Sequence, residues 1–237
     1  MVSLSPFATR LGTLCGPIGL ALLTTGWILA GFFPPFSPSA TPEEVAAHYH
    51  KYESGIKACV PLWLAFGVLN IIFRATVSVS LSKIENCSKF LVRAQLAGSI
   101  YTGILSILAA MFFATAVLRP SRSPELIQLL NDAGQYTAVL DAQSMVIQDL
   151  AAACVILQDS SPSPIFPRWA GYALLSSVIA LIPSYFARVE LEGAYAWSGI
   201  IGFYVPSMIF GNDLCLLAWY VWKDAGNQGR AAHARQE

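Results

Sequence analysis

The sequence predicts an all-α, polytopic membrane protein: a bundle of six transmembrane helices with a short interfacial helix after the first. Two observations carry this. The 237 residues are 55% hydrophobic and only 12% charged, against roughly 25% charged in an ordinary soluble domain. The apolar residues also fall in blocks that reach the roughly 20 residues needed to cross a ~30 Å hydrocarbon core. These blocks are Leu11–Phe33, Ile56–Leu81, Leu91–Leu118, Ala133–Leu157, Trp169–Ala187 and Ala194–Trp222. The loops between them leave no room for a soluble domain, so residues 1–237 read as a single membrane domain. A net charge of zero and the lack of a basic patch with interleaved aromatics give no nucleic-acid partner.

The elements follow in order. The first block exceeds the 7–15 apolar residues of a signal-peptide core and ends in Phe32-Phe33-Pro34-Pro35, so it reads as a retained helix. Pro34, Pro35 and Pro38 then hold an extended loop, because proline restricts its own φ and the residue before it. Thr41-Pro42-Glu43-Glu44 is a helix start, with an N-cap, a proline at the first helical position and a capping-box glutamate. It opens a surface helix over Pro42–Glu53, and Gly55 is expected to bend the chain into the second span. Ser123-Pro124-Glu125 repeats the start signal before the fourth helix. That helix has the sequence to run unbroken from Pro124 to Gln158, about 50 Å at helical rise. Ser160-Ser161-Pro162-Ser163-Pro164 is a turn. Arg168 and Trp169 after it suit an interface, as do Trp197, Tyr220 and Trp222.

Lys and Arg set the orientation. With the N-terminus cytosolic, Arg10, Lys83, Lys89, Arg93, Arg168, Lys223, Arg230 and Arg235 share its side. Lys51, Lys57, Arg119, Arg122 and Arg188 lie opposite. Both termini are therefore expected in the cytosol, where the Asn86-Cys87-Ser88 acceptor stays unglycosylated. Five scattered cysteines show neither a disulfide framework nor zinc spacing.

Polar groups inside the spans are the candidate chemistry, since an ionisable group there costs about 2.5–3.5 kcal/mol to insert. The fourth span holds most of them. At 100° per residue Asp141, Ser144, Gln148, Asp149 and Asn131 share an arc of about 140°, while Asp132 points elsewhere. The sixth span adds Asn212 and Asp213, the second Asn70 and Arg74. Structurally, Arg74 would pair with one aspartate and the glutamines would bond between helices. One arginine does not neutralise three deep carboxylates, so at least one is expected to hold its proton, as a general acid or a proton-coupling group. On the surface helix, Glu43, Glu44, His48, His50 and Glu53 read as a solvated face, or as a lid over a pocket. His48 and His50 point to different faces and make a poor metal pair. No phosphate loop, no Ser-His-Asp constellation and no Asp-rich motif for magnesium diphosphate is present, so no metal or cofactor is expected.

Several segments together resemble one family across nearly the whole chain. They are Phe33-Pro34-Pro35-Phe36-Ser37-Pro38-Ser39-Ala40 with Glu43-Glu44, Leu130-Asn131-Asp132, and Pro164-Ile165-Phe166-Pro167-Arg168-Trp169-Ala170-Gly171-Tyr172. Ala196-Trp197-Ser198-Gly199 with Pro206 completes the set. They are similar to the membrane-bound terpene cyclases of fungal meroterpenoid pathways, of the ascofuranone and macrophorin type, and to a group of bacterial membrane proteins. The resemblance implies an isomerase- or lyase-type enzyme of the endoplasmic reticulum membrane. It would protonate an epoxide or terminal olefin of a farnesylated aromatic or polyketide that enters from the bilayer, and cyclise it without diphosphate loss. A neutral carboxylic acid would start the reaction, with Asp132 and Asp149 ranked before Asp141 and Asp213, and Glu44 and Glu53 added if the surface helix closes. Aromatic faces would stabilise the cation; Tyr101, Phe112, Trp169, Phe203 and Tyr204 are the candidates, with Asn131 and Gln148 as polar contacts. Two rivals stay open. A proton-coupled transporter of a small lipophilic molecule needs the same acids, but usually shows repeats and broken helices. Pro183 and Pro206 are possible breaks, without a repeat. A membrane scaffold would need neither a pocket nor the aspartates.

Overall fold

Local signals set where each helix begins. In the computed structural model, which describes residues 4–33, 35–119, 121–139, 141–188 and 190–233, helix α1 (Pro6–Leu29) is capped by Ser5, whose hydroxyl accepts from the Ala8 amide. Pro34 and Arg235, used above for the loop and the orientation, lie outside the described residues. Helix α2 (Pro42–Lys51) starts on the expected capping box: the Thr41 hydroxyl accepts from the Glu44 amide and the Glu44 carboxylate from the Thr41 amide. The chain turns at Tyr52 (φ −105°, ψ 21°) rather than at Gly55, which lies inside α3 (Glu53–Leu81). Gly55 is needed for another reason: a Cβ there would collide with the Leu29 carbonyl oxygen.

Asn86, with φ of 58°, makes the left-handed turn into α4 (Lys89–Val117). The fourth span is discontinuous, a difference from the unbroken helix its sequence allows. α5 runs over Pro124–Val139 and α6 over Ala142–Gln158. α7 (Arg168–Leu181) continues as a 3₁₀ segment to Arg188, and a π-helical turn over Ile200–Tyr204 leads into α8 (Val205–His233). Among the described residues there is no strand. Six helical stretches are long and apolar enough to cross a membrane.

The spans form a closed ring in chain order. α1 packs on α3, α3 on α4, α4 on α5 and α6, α6 on α7, and α8 touches both α7 and α1. Outward faces are apolar: Leu11 and Ile18 of α1, Val68 of α3, Ile104 and Met111 of α4, Ile179 of α7 and Met208 of α8 are all exposed. So much continuous exposed apolar surface suits lipid rather than water, and the chain is a multi-pass integral membrane protein. The polar residues face inward instead, with Asn70, Arg74, Gln95, Ser99, Ser144, Gln148 and Asp149 all buried.

Without a hydrophobic drive between helices in lipid, close backbone approach and interhelical hydrogen bonds hold the ring. α3 and α4 meet at Gly67 and Gly103. A Cβ on Gly67 would lie 2.9 Å from the Gly103 carbonyl oxygen, and a Cβ on Gly103 would lie 3.0 Å from that of Gly67. Gly103→Leu is therefore expected to overpack this crossing and cost about 1–3 kcal/mol or more, read as a lower melting temperature in detergent. Gly211→Leu, where a Cβ meets nothing within 4 Å, is the matched control and should melt like the parent.

Two loop aromatics pack into the core, and one of them, Trp197, was expected at the interface. Phe166 is fully buried against α8, with its ring 6.2 Å from that of Tyr220. Trp197 is 5% exposed, and its indole N–H donates to the Phe36 carbonyl at 2.8 Å. That bond ties the segment before α8 to the loop after α1. Trp169 does lie at the surface, 55% exposed.

Helix α2 closes the end of the bundle away from the termini. Val45, Ala46 and Tyr49 pack into a cluster with Phe32, Trp63 and Phe113. The His48 ring stacks on Phe32, and its Nε2–H donates to the Ala30 carbonyl at 3.0 Å. Burial pushes the His48 pKa below its ordinary value of 6.5, the Ala30 bond opposes this, and Lys51 adds to it. Burial likewise holds the Tyr49 phenol well above its usual range. For His48 the folded pKa lies below the unfolded one, so its contribution to docking is complete above about pH 6.5 and is lost as pH falls through and below that value. The protection factors of the amides over residues 42–52, corrected for the intrinsic pH dependence of exchange, should fall from pH 7.5 to pH 5 in the parent, and much less so in His48→Phe. An equal fall in both would show that His48 does not hold the helix.

Candidate functional site: an acid at a helix break beside an aromatic cavity

The break in the fourth span adjoins a cavity inside the bundle. Irregular backbone at membrane depth is tolerated where it lines a cavity or is buried in protein. Asp141, with φ of −89° and ψ of 43°, sits in the break just before α6. It lines a cavity of about 180 Å³. The walls are aromatic: Trp27 from α1, Trp63 and Phe66 from α3, Phe210 from α8 and Phe33 after α1. Trp27 packs 5.5 Å from Trp63 and 4.8 Å from Phe203, ring centre to ring centre. Among the described residues Asp141 is the one ionisable side chain on the lining. Thr24 and Phe33 line the cavity and are also exposed on the outer surface. The cavity lining thus reaches the outer surface of the bundle, and it also includes Pro206 and Ser207 at the start of α8.

A short polar chain orients the carboxyl. The Ser144 hydroxyl donates to Asp141 Oδ2 at 2.5 Å, and Thr102 of α4 lies 2.6 Å from the same hydroxyl. With Ser144 donating to the carboxylate, the Thr102 hydroxyl donates to Ser144. Asp141 is the residue just before α6 and Ser144 lies in the first turn of that helix, and Thr102 meets Ser144 where α4 and α6 pack. The positive end of α6 points at Asp141 and favours the negative charge left there after a proton is given away. One turn further on, the Ser99 hydroxyl donates to Gln148 Oε1 at 2.8 Å, Gln95 donates to Ser99 at 3.0 Å, and Ser78 donates to Gln95.

A second polar group lies behind the cavity. Arg74 Nη1 is 3.7 Å from Asp149 Oδ1, both side chains 1% exposed. Ser177 of α7 donates to Asp213 Oδ1 at 3.1 Å. The Arg74 guanidinium lies over the rings of Phe73 and Phe210, at 5.6 and 6.0 Å. Phe210 thus both lines the cavity and carries the Arg74 guanidinium over its ring.

The other candidates are dispersed. Asp132 is half-buried outside the cavity lining, bonded by Asn131 at 3.2 Å, and Asn131 in turn accepts from the Tyr49 hydroxyl at 3.3 Å. Both belong to the seam with α2. Glu44 caps α2, and Glu53 pairs with Lys57 at 2.5 Å on an exposed face. Tyr101 and Tyr204 are exposed on the outer surface, and Phe112 is half-buried on α4 off the lining. Phe203 is buried against the cavity wall at Trp27. Gln148 is spent between helices. The lining residues Trp27, Trp63, Phe66 and Phe210 were not singled out from sequence. One signal for two of them was available: Trp27 and Trp63 sit well inside apolar blocks rather than at their ends, and an indole buried there needs a partner for its N–H. Trp63 finds the Leu23 carbonyl at 3.2 Å. Among the described residues no three His, Cys, Asp or Glu side chains converge as metal ligands do.

Fold and site together define a class: a multi-pass helical membrane protein with, among the described residues, one acid facing an aromatic cavity whose lining reaches the outer surface. Comparison with known proteins takes this no further, because no family model, no curated protein and no solved structure matches the chain.

Proposed function

We propose that the chain is a membrane-bound, acid-initiated terpene cyclase, acting on a prenylated aromatic or polyketide with Asp141 as the proton donor. The observation that carries this is the one carboxyl, among the described residues, set in an aromatic cavity whose lining reaches the outer surface of the bundle. Protonated Asp141 gives its proton to the epoxide oxygen or terminal olefin of a bound farnesyl chain. The carboxylate left behind is stabilised by Ser144 and by the positive end of α6. The cation formed as the chain folds is stabilised by the faces of Trp27, Trp63 and Phe210. Either a hydroxyl of the substrate traps it and gives up its proton, or a C–H proton is lost to form an olefin; the proton released balances the one that Asp141 gave, so the product is an isomer of the substrate. An apolar cavity of about 150 Å³ takes up benzene. By that measure the enclosed space here, about 180 Å³, takes the reacting end of the prenyl chain while the rest lies in the mouth. The loop and helix-start segments that resemble meroterpenoid cyclases supply the substrate class. The orientation with both termini cytosolic, in the endoplasmic reticulum membrane, belongs to this same reading.

One observation favours a second reading, a proton-coupled transporter: the fourth span is broken beside the buried acid, as in many transporters. Microsomes containing the protein, supplied with an epoxyfarnesyl aromatic and assayed for a cyclic product of unchanged mass, separate the two. Cyclisation supports the enzyme. Accumulation of unchanged compound driven by a pH gradient, without a new product, would replace it by the transporter.

A further inference from the structure

The buried group behind the cavity brings three charged side chains together from three helices. Arg74 comes from α3, Asp149 from α6 and Asp213 from α8, exposed by 1%, 1% and 4%. These are the charges that act on one another. Among the described residues no further charge is found acting on these three; Ser177 of α7 bonds Asp213, and α4 carries the neutral Gln95 and Ser99. One cation therefore faces two carboxyls in a dry interior. If both were ionised, a net negative charge would remain buried, which proteins avoid by binding a proton.

The hydrogen bonds point the same way. The arginine and Asp149 meet only at 3.7 Å, beyond hydrogen-bond reach. Arg74 Nε, Nη1 and Nη2, both oxygens of Asp149, Asp213 Oδ2 and both polar atoms of Asn70 are buried without a direct hydrogen-bond partner. A well-made bidentate ion pair would have used them. The arrangement suits a cluster whose proton content changes, with polar capacity in reserve for either state.

We propose that Arg74, Asp149 and Asp213 form a proton-binding site, in which the two carboxyls hold one exchangeable proton between them at neutral pH. The bound proton makes the cluster neutral overall. Its state is sensed at the cavity through Phe210, which touches both. The proposal does not depend on the cyclase reading, because it concerns a group outside the cavity lining and needs no substrate to test.

The test uses the full-length protein in nanodiscs, with every variant built on Asp141→Asn so that the cavity acid is silent. Infrared difference spectra in light and heavy water at pH 7 are read for the isotope-sensitive stretch of a protonated carboxyl. The expected result is such a band in Asp141→Asn, lost on adding either Asp149→Asn or Asp213→Asn, because one carboxylate beside Arg74 is neutral without a proton. Melting temperature supplies a second readout. A proton bound in the folded state makes stability fall as pH rises, so the parent should lose stability toward pH 9 and either asparagine variant should lose much less. A band that survives either substitution, or the same pH slope in parent and variants, overturns the proposal.

Discussion

Asp141→Asn is expected to lower cyclisation by at least about 100-fold, within the range of about 10²–10⁴ that a positioned general acid contributes. Asparagine keeps the shape of the side chain and can still accept from Ser144, so expression and melting should change little while turnover collapses. Asp132→Asn should leave turnover within a few-fold of the parent, because Asp132 lies off the cavity on the α2 seam. Product analysis by mass and retention, in microsomes with matched protein levels, checks both. Full activity in Asp141→Asn together with loss in Asp132→Asn would move the site to the α2 seam and overturn the cavity assignment. Ser144→Ala and Thr102→Val are milder changes to the same chain. They should weaken the reaction without abolishing it, since they orient the acid rather than supply the proton.

Arg74→Leu is expected to be the most damaging single change to the bundle. Removing one partner of a buried ion pair leaves its counterpart uncompensated, at a cost of about 3–5 kcal/mol. Here two carboxyls would be left, from two helices that contact α3 only lightly. Unfolding by SDS titration in mixed micelles should shift strongly toward lower SDS. Adding Asp149→Asn to Arg74→Leu should recover part of the loss, because it removes one of the stranded acids. A single variant as stable as the parent would mean that both carboxyls already hold protons and that Arg74 is not their counter-ion.

Much of the architecture was legible because the bilayer imposes a simple rule on the chain. A span must be apolar over a set length, so the six blocks appear in sequence, and their observed helices start and stop within a few residues of the expected bounds at most ends. The α2 cap was equally plain, since Thr41, Pro42 and Glu44 act on their own backbone. The break in the fourth span was not. Val139 and Ala142 flank it without a proline or glycine, and the polar arc through Asp141 and Asp149 fits a continuous helix just as well. At the break Ser144 bonds the Asp141 carboxyl and Thr102 of α4 bonds Ser144, contacts that exist only because α6 and α4 pack.

The same division runs through the site. That the fourth span carries inward-facing acids could be read from residue spacing, because helical periodicity is local. That Asp149 belongs with Arg74 and Asp213, Asp132 with the α2 seam, and Asp141 alone with the cavity was settled by which helices touch. Four of the five aromatic rings on the lining come from α1, α3 and α8, where along the chain they look like ordinary apolar filler. An apolar span follows from the free energy of moving one segment into lipid, a property of that segment alone. A cavity is the space that several packed helices leave between them, and that depends on all of their faces at once.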